Sequence, residues 1–289
     1  MTLMMAGQLN RVSPIRTLRV GDHQVTYLPD GCMQLDPRSW LPQSTAEDWR
    51  QRADHLDDEG YLVGSIGGLL VEYQGRALLI DTGYGRRHVP ASRTHPALGA
   101  LKGGRLPATL IALGKSPELV DTVAFTHLHD DHVGWAFAPG EDGSELLFGN
   151  AAFIASDAEW RARHGLLPPR SARFLRERAA SAADGEEVFP GVTAWITPGH
   201  SAGHTSYVIS SGGERLIAFG DVMHSPAQVA RPDWRVTLDT DPDTAVRTRL
   251  AVLDELSRPD TFGFGGHFAD VVLGLVTRDG HGHHWVPAA

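Results

Sequence analysis

The sequence of 289 residues predicts a mixed α/β fold. Three observations carry that expectation. Short apolar or alternating runs of strand length come first, and helical patterns interleave with them. Side chains able to bind metal stand just after strand ends, where α/β proteins place their sites. No composition break marks a linker, so a single domain over residues 1–289 is expected, long enough to bury a sizeable core.

Taken in order, residues 24–28 read as a first strand, closed by the turn signal Pro29-Asp30-Gly31. Residues 32–61 are polar and irregular, with Trp40 and Trp49 among them. A loop of that length is commonly functional; an arm covering a pocket, or a homodimer contact, is expected. Residues 67–73 and 76–80 form a hairpin around Gln74-Gly75 that ends in Asp81-Thr82-Gly83-Tyr84-Gly85. Residues 106–113 are expected to be helical and 120–126 a strand. Short strands follow at 145–148 and 152–155. Ser156-Asp157-Ala158-Glu159-Trp160 starts a helix, and 172–183 is another. Residues 192–196 form a strand that leads to Thr197-Pro198-Gly199-His200. Residues 206–210 and 215–219 alternate like a hairpin and end at Gly220-Asp221. Residues 241–256 are an amphipathic helix, capped by Asp241 or Asp243, with Ala245, Leu250, Val252 and Leu253 on its apolar face. Residues 261–265 are the last strand, ending at Gly266-His267. Beyond it His281, His283 and His284 read as a loose, solvated tail.

Composition narrows the function classes. A net charge of −9 repels phosphate backbones, so nucleic acid is excluded as an expected partner. The single cysteine, Cys32, forms no internal disulfide and fits a reducing compartment. The start has no signal-peptide core, being interrupted by Arg11 and Arg16, and no apolar run approaches membrane-spanning length. A cytoplasmic protein acting on a small molecule, with no membrane partner, is expected.

The chemistry concentrates in residues 127–132, His-Leu-His-Asp-Asp-His. His127, His129, Asp131 and His132 offer imidazole nitrogen and carboxylate oxygen, which suit zinc. In extended chain, residues two apart face one side, so His127 and His129 project together. A turn through Asp130 brings Asp131 and His132 around from the other side, which offers ligands to two adjacent ions. His200, Asp221 and His267, each just after a strand, complete a two-metal set.

With these residues the chain resembles the metallo-β-lactamase-fold hydrolases. The motifs that carry the resemblance are Thr126-His127-Leu128-His129-Asp130-Asp131-His132, Thr197-Pro198-Gly199-His200-Ser201-Ala202-Gly203-His204, Phe219-Gly220-Asp221, Gly266-His267 and, upstream, Leu79-Ile80-Asp81-Thr82-Gly83. The resemblance implies an αβ/βα four-layer sandwich with the metals at one edge of two sheets. It places His127, His129 and His200 in one site, Asp131, His132 and His267 in the other, and Asp221 between the two ions. It makes Asp81 a hydrogen-bond partner that orients a ligand imidazole, His204 a structural group, and Asp130 a solvated bystander.

Oxygen-reducing di-iron members resemble His-x-Glu-x-Asp-His, whereas position 129 here is His, which favours two zinc ions and hydrolysis. Within the superfamily the chain looks similar to quorum-quenching lactonases and to the methyl-parathion-hydrolase-like group. That implies attack on an ester or lactone carbonyl by a hydroxide bridging two zincs, with Asp131 steering a proton. Thioester, β-lactam and phosphotriester bonds suit the same centre. Lactonases of this kind carry Tyr three residues after the bridging Asp. His224 stands there instead, as a candidate general acid. Trp40, Trp49, Trp135, Phe137 and Phe148 are candidates for the apolar wall.

Two other readings compete. Gly199-His200-Ser201-Ala202-Gly203 fits the Gly-x-Ser-x-Gly nucleophile elbow, with Ser201 as nucleophile of a serine hydrolase. It leaves the 127–132 cluster without a purpose. A non-catalytic metal-binding protein on the same fold is the other.

Overall fold

The computed structural model describes residues 8–140, 145–163, 177–280 and 282–288. Two β-sheets face each other. The first is built from β1 (Arg16–Val20), β2 (His23–Leu35), β3 (Leu62–Tyr73), β4 (Arg76–Ile80), β5 (His88–Val89), β6 (Leu98–Lys102), β7 (Thr122–Ala124), β8 (Ala152–Ser156) and β9 (Ala179–Ala182). Their order is β5-β6-β2-β3-β4-β7-β8-β9, with β1 paired to β2. The second runs in chain order through β10 (Glu187–Phe189), β11 (Val192–Ile196), β12 (Thr205–Ser211), β13 (Glu214–Ala218), β14 (Thr261–Phe264), β15 (Leu273–Asp279) and β16 (Gly282–Pro287).

Strand alternation separates the layers. Leu69 and Val71 of β3, and Leu78 and Ile80 of β4, meet Ala194, Tyr207, Ile209, Leu216 and Ala218 in the core between the sheets. The intervening Leu70, Ala77 and Leu79 point the other way, onto Leu106 and Leu110 of the helix Leu106–Ala112. On the far side, Ile217 of β13 packs on Val252, Leu253 and Leu256 of the helix Pro242–Leu256. A period of two along each strand thus builds helix, sheet, sheet and helix, the four layers expected. Each such side chain, fully buried, stabilises the fold by about 1.5–3 kcal/mol.

Several elements depart from the sequence reading. Pro29-Asp30-Gly31 is not a turn: β2 continues through it, with a register shift between Pro29 and Gly31 that marks a bulge. Residues 32–61 are not irregular. They continue β2 to Leu35 and then form the helices Pro37–Trp40 and Ala46–Arg50, each too short for periodicity to reveal. Their Trp40, Leu41 and Trp49 are buried with Leu62, Ile66 and Trp234.

Residues 145–148 are turn, not strand. Of the expected helix at 172–183, residues 172–176 lie outside the described residues. Ala179–Ala182 is instead a strand, since parallel pairing with β8 outweighs the helical preference of alanine. The strand at 261–265 is not the last. β15 and β16 follow, and His283 and His284 sit in β16 as members of a ladder, not in a loose tail; His281 lies outside the described residues. In the helix Pro242–Leu256, capped by Asp241, Leu250 is exposed, and the buried position beside it belongs to Arg249.

Candidate metal centre

Parallel pairing aligns the strand ends that carry the motifs. In β4 and β7, Ile80 stands opposite Ala124, so Asp81 and Thr126 emerge side by side. In β13 and β14, Ala218 stands opposite Phe264, so Asp221 and His267 each follow three residues beyond the matched pair. Gly220 lies in the left-handed region at φ +49, and a Cβ there would come within 2.6 Å of His204 Nε2. Only glycine fits this turn without strain.

The seven side chains singled out by the sequence converge into two adjoining groups, His127, His129, His200 and Asp221 in one and Asp131, His132 and His267 in the other. Within each, the ligand atoms lie within 4.8 Å of one another. His129 Nδ1 is 2.8 Å from His127 Nε2 and 3.0 Å from His200 Nε2. His132 Nε2 and His267 Nε2 are 3.3 Å apart. Nitrogens bound to one zinc at about 2.0–2.1 Å sit roughly 3.3 Å from each other in a tetrahedron, so these separations fit a cation between them. Asp221 lies between the groups with its oxygens divided. Oδ2 is 3.3 Å from His200 Nε2, and Oδ1 is 3.0 Å from His267 Nε2. Oδ1 is also buried without a hydrogen-bond partner, an orphaned acceptor that a cation would satisfy.

Partners outside the groups fix the rings. Asp81, at φ +60, accepts from His132 Nδ1 at 2.8 Å and from Thr126 N and Oγ1 at 2.8 Å each. His267 Nδ1 donates to Ser65 O at 2.7 Å, and His200 Nδ1 to Asp239 Oδ1 at 3.0 Å. His204 accepts from the Asp221 backbone N–H at Nε2, 3.0 Å, while its Nδ1 faces Thr197 Oγ1 at 2.9 Å, so it supports the backbone of Asp221. Asp130 joins neither group; it pairs with Arg87 at 3.1 Å on the rim of the cavity over the cluster.

Charge in the cluster is unevenly shared. Burial, reinforced by neighbouring imidazoles, holds His127 well below its ordinary pKa and takes His129 and His204 to about 3. Burial also lowers His224. Burial opposes charge on His132 as well, but the carboxylates of Asp221, Asp131 and Asp81 hold that ring well above the usual value; His267 is raised in the same way, chiefly by Asp221. Burial would raise Asp221, yet His267 and His132 hold it well below the carboxylate range. A divalent transition metal takes neutral imidazoles and ionised carboxylates, so binding here would displace the protons that the carboxylates favour on His132 and His267.

A cavity of about 460 Å³ opens over the cluster. Its floor is His129, Asp131, His200, Asp221 and His224, and its apolar wall is Met33, Trp40, Tyr84, Leu98, Leu101 and Leu238. Of the aromatics expected there, Trp40 is present. Trp49 is buried, its Nε1 donating to Ser44 Oγ at 2.8 Å. Trp135, Phe137 and Phe148 belong to the core under the first sheet, because the chain turns inward after the helix Asp130–Val133. His224 lines the cavity with Nε2 3.0 Å from Asp221 Oδ2 and its ring edge-on to Trp40 at 5.0 Å.

Among the described residues Ser201 is bonded through Oγ to a carboxylate, not to an imidazole that could serve as its base. Its Oγ donates to Glu159, which also accepts from Gly203 N at 3.0 Å and Leu128 N at 3.2 Å. The hydroxyl therefore joins a clamp between the His127–His129 and His200 segments. Asp239 and Glu159 escaped the sequence reading as partners of the cluster: Asp239 is one of three aspartates between 239 and 243, and Glu159 is one acidic residue of the helix Asp157–Arg163.

Two packed sheets with helices outside, bearing buried histidines and carboxylates at one edge below a cavity, define a metal-dependent hydrolase. The chain belongs to the metallo-β-lactamase superfamily, whose family profile matches residues 68–267. Solved structures share the fold. AidC, a dizinc quorum-quenching lactonase in complex with a product, is 22% identical, with 97% of this chain and 99% of that chain covered at a TM-score of 0.79. AbOPH, a hydrolase of the β-lactamase superfamily, is 24% identical over 97% and 99% at 0.78. AiiA from B. thuringiensis, as a variant with N-decanoyl-L-homoserine at its active site, is 21% identical over 87% and 94% at 0.64. Among the described residues no helix is long and apolar enough to cross a membrane.

Proposed function

We propose that this protein is a dinuclear zinc hydrolase that opens an ester or lactone carbonyl of a small molecule. The observation that carries the reading is the division of Asp221, one oxygen toward each of two histidine groups, at the floor of a cavity with an apolar wall. His127, His129 and His200 would hold one ion, Asp131, His132 and His267 the other, and Asp221 both. Bound there, such ions supply Lewis acidity and lower the pKa of water toward about 7.

The chain's own groups do the rest. Asp131, with Oδ2 3.6 Å from both His132 Nε2 and His267 Nε2, lines the cavity floor and is placed to take a proton from the attacking water. His224, held by Asp221 at the cavity floor and kept chiefly neutral by burial, is placed to orient a substrate oxygen by hydrogen bonding. Trp40, Met33, Leu98 and Leu101 exclude water from one side and receive an apolar substituent. The lactonases that share this fold favour a lactone as the substrate.

The test is metal analysis together with hydrolysis of a lactone, a carboxylic ester, a thioester, a β-lactam and a phosphotriester. Two zincs per chain, loss of turnover with EDTA and preference for lactone or ester are expected. His129→Ala should lose metal and rate together. Full activity after exhaustive chelation, or two zincs and undiminished rate in His129→Ala, would overturn the proposal; inactivation by a covalent serine reagent would revive Ser201.

A further inference from the structure

We infer that Asp239, backed by Arg249, is the positioning residue that aims His200 at its ion and sets the affinity of that one site of the two. This rests on the ligand reading proposed above. The Asp239 side chain is fully buried. A carboxylate only accepts, so the 3.0 Å contact from His200 Nδ1 to Asp239 Oδ1 places the ring proton on Nδ1. Nε2 is then left with its lone pair toward the cluster, 3.0 Å from His129 Nδ1. The other carboxylate oxygen accepts from Val236 N at 3.2 Å, so Asp239 itself cannot swing.

A buried carboxylate needs compensation. Arg249, fully buried on the helix Pro242–Leu256, brings its guanidinium to 3.9 Å from Asp239 Oδ2. It is pinned there by three backbone carbonyls, Val222 at 2.8 Å, Pro232 at 2.9 Å and Trp234 at 2.7 Å. Val222 directly follows Asp221, so the same guanidinium anchors the backbone beside that residue. The segment around Asp239 also grips the backbone of the ligand: Thr240 N donates to His200 O at 3.1 Å, and Asp241 N to Gly199 O at 2.9 Å. His200 is thereby held at both its ring and its peptide by one loop.

The second group has separate supports. His132 is oriented by Asp81 and His267 by the Ser65 carbonyl, neither of which touches Asp239. Asp239 therefore acts on the His200 group alone, whereas Asp81 also reaches His127 through Thr126 Oγ1, 3.1 Å from His127 Nδ1. Outer partners of ligand histidines are worth about 10–100-fold in metal affinity, because they fix the tautomer, aim the ring and add negative charge behind it.

The experiment titrates metal-free wild type, Asp239→Asn, Asp239→Glu, Asp81→Asn and His200→Ala with zinc against a chromogenic chelator. The cobalt(II) ligand-field spectrum and the melting temperature of the metal-free proteins are recorded alongside. Asp239→Asn is expected to weaken one ion about 10–100-fold and leave the other unchanged, altering only the cobalt bands that His200→Ala abolishes. Asp81→Asn should weaken the ion held by His132, and through Thr126 the ion beside His127 as well. Asp239→Glu, which keeps the charge, should lose less than Asp239→Asn. The inference is overturned if Asp239→Asn keeps both affinities while His200→Ala loses an ion, or if it lowers only the melting temperature. It is equally overturned if Glu and Asn weaken both ions alike. Should wild type fail to bind two ions, the ligand reading itself falls.

Discussion

Asp30 offers the sharpest stability test. Its carboxylate is buried and accepts six N–H groups. Oδ1 receives Gly104 N at 3.0 Å, Arg105 N at 2.8 Å, Leu106 N at 2.9 Å and Trp135 Nε1 at 2.8 Å. Oδ2 receives Tyr84 N at 2.8 Å and Gly85 N at 3.1 Å. It thus caps the helix Leu106–Ala112 from another strand, where the local cap residue, Arg105, has no side-chain bond to give. Asp30→Asn keeps the shape but must turn an NH₂ toward either oxygen's donors. The cheaper choice sacrifices the two bonds from Tyr84 and Gly85. Hydrogen bonds to charged groups contribute about 1.5–3 kcal/mol each, so the loss is about 3–6 kcal/mol. That is a large fraction of a typical total stability of about 5–15 kcal/mol. Equilibrium denaturation of the metal-free protein in urea reads it directly. Because Tyr84 lines the cavity, KM should rise in the folded fraction as well. A change below about 1 kcal/mol would show that water or local movement satisfies those donors, and the account of Asp30 would be wrong.

Three further outcomes follow from the same geometry. Glu159→Gln puts an amide against either Leu128 N or the Gly203 and Ser201 donors, so it should cost about 1–3 kcal/mol and weaken the ion held by His127, His129 and His200; unchanged melting and metal content would count against the clamp. Trp40→Phe should enlarge the cavity wall and shift kcat/KM toward bulkier acyl groups by about ten-fold, measured on a chain-length series; an unaltered preference would remove Trp40 from the substrate path. His224→Phe should retain both ions and lower kcat about ten-fold, since it removes a hydrogen-bonding group while leaving the metal ligands in place; unchanged kinetics would reduce His224 to a packing role.

The clustering of the seven His and Asp side chains was legible in the sequence because each stands just past a strand end, at short spacings within the His127–His132 run. The strands themselves were legible as apolar runs around a turn in β4 and the second half of β3, and by alternation in β12 and β13. Asp30 was misread because Pro-Asp-Gly is a strong local turn signal, while the six donors that hold it come from segments more than fifty residues away. The arm at 32–61 was misread as irregular because helices of four and five residues leave no period to detect. The aromatics Trp135, Phe137 and Phe148 were misplaced because nearness in sequence to His132 does not say which face of the next turn is buried. Asp239 was invisible for a related reason: a carboxylate that orients a histidine 39 residues away has no spacing rule to betray it.

The register explains why the chain can scatter its ligands and still assemble them. Each parallel pair fixes two strand ends at the same level, so a ligand placed a few residues beyond one end meets a ligand placed likewise beyond its neighbour. β4 and β7 deliver Asp81, Thr126 and the His127–His132 turn from one sheet; β13 and β14 deliver Asp221 and His267 from the other. A one-residue slip in either pair would turn every following side chain to the opposite face. The two-sided packing of these strands opposes that slip, since it would drive Leu69, Val71, Leu78 and Ile80 against the outer helix and bring Leu70, Ala77 and Leu79 between the sheets, where neither set matches the volumes packed there. The same apolar alternation that makes the sandwich therefore also sets the distance between the two histidine groups, and Asp221 spans that distance with its two oxygens.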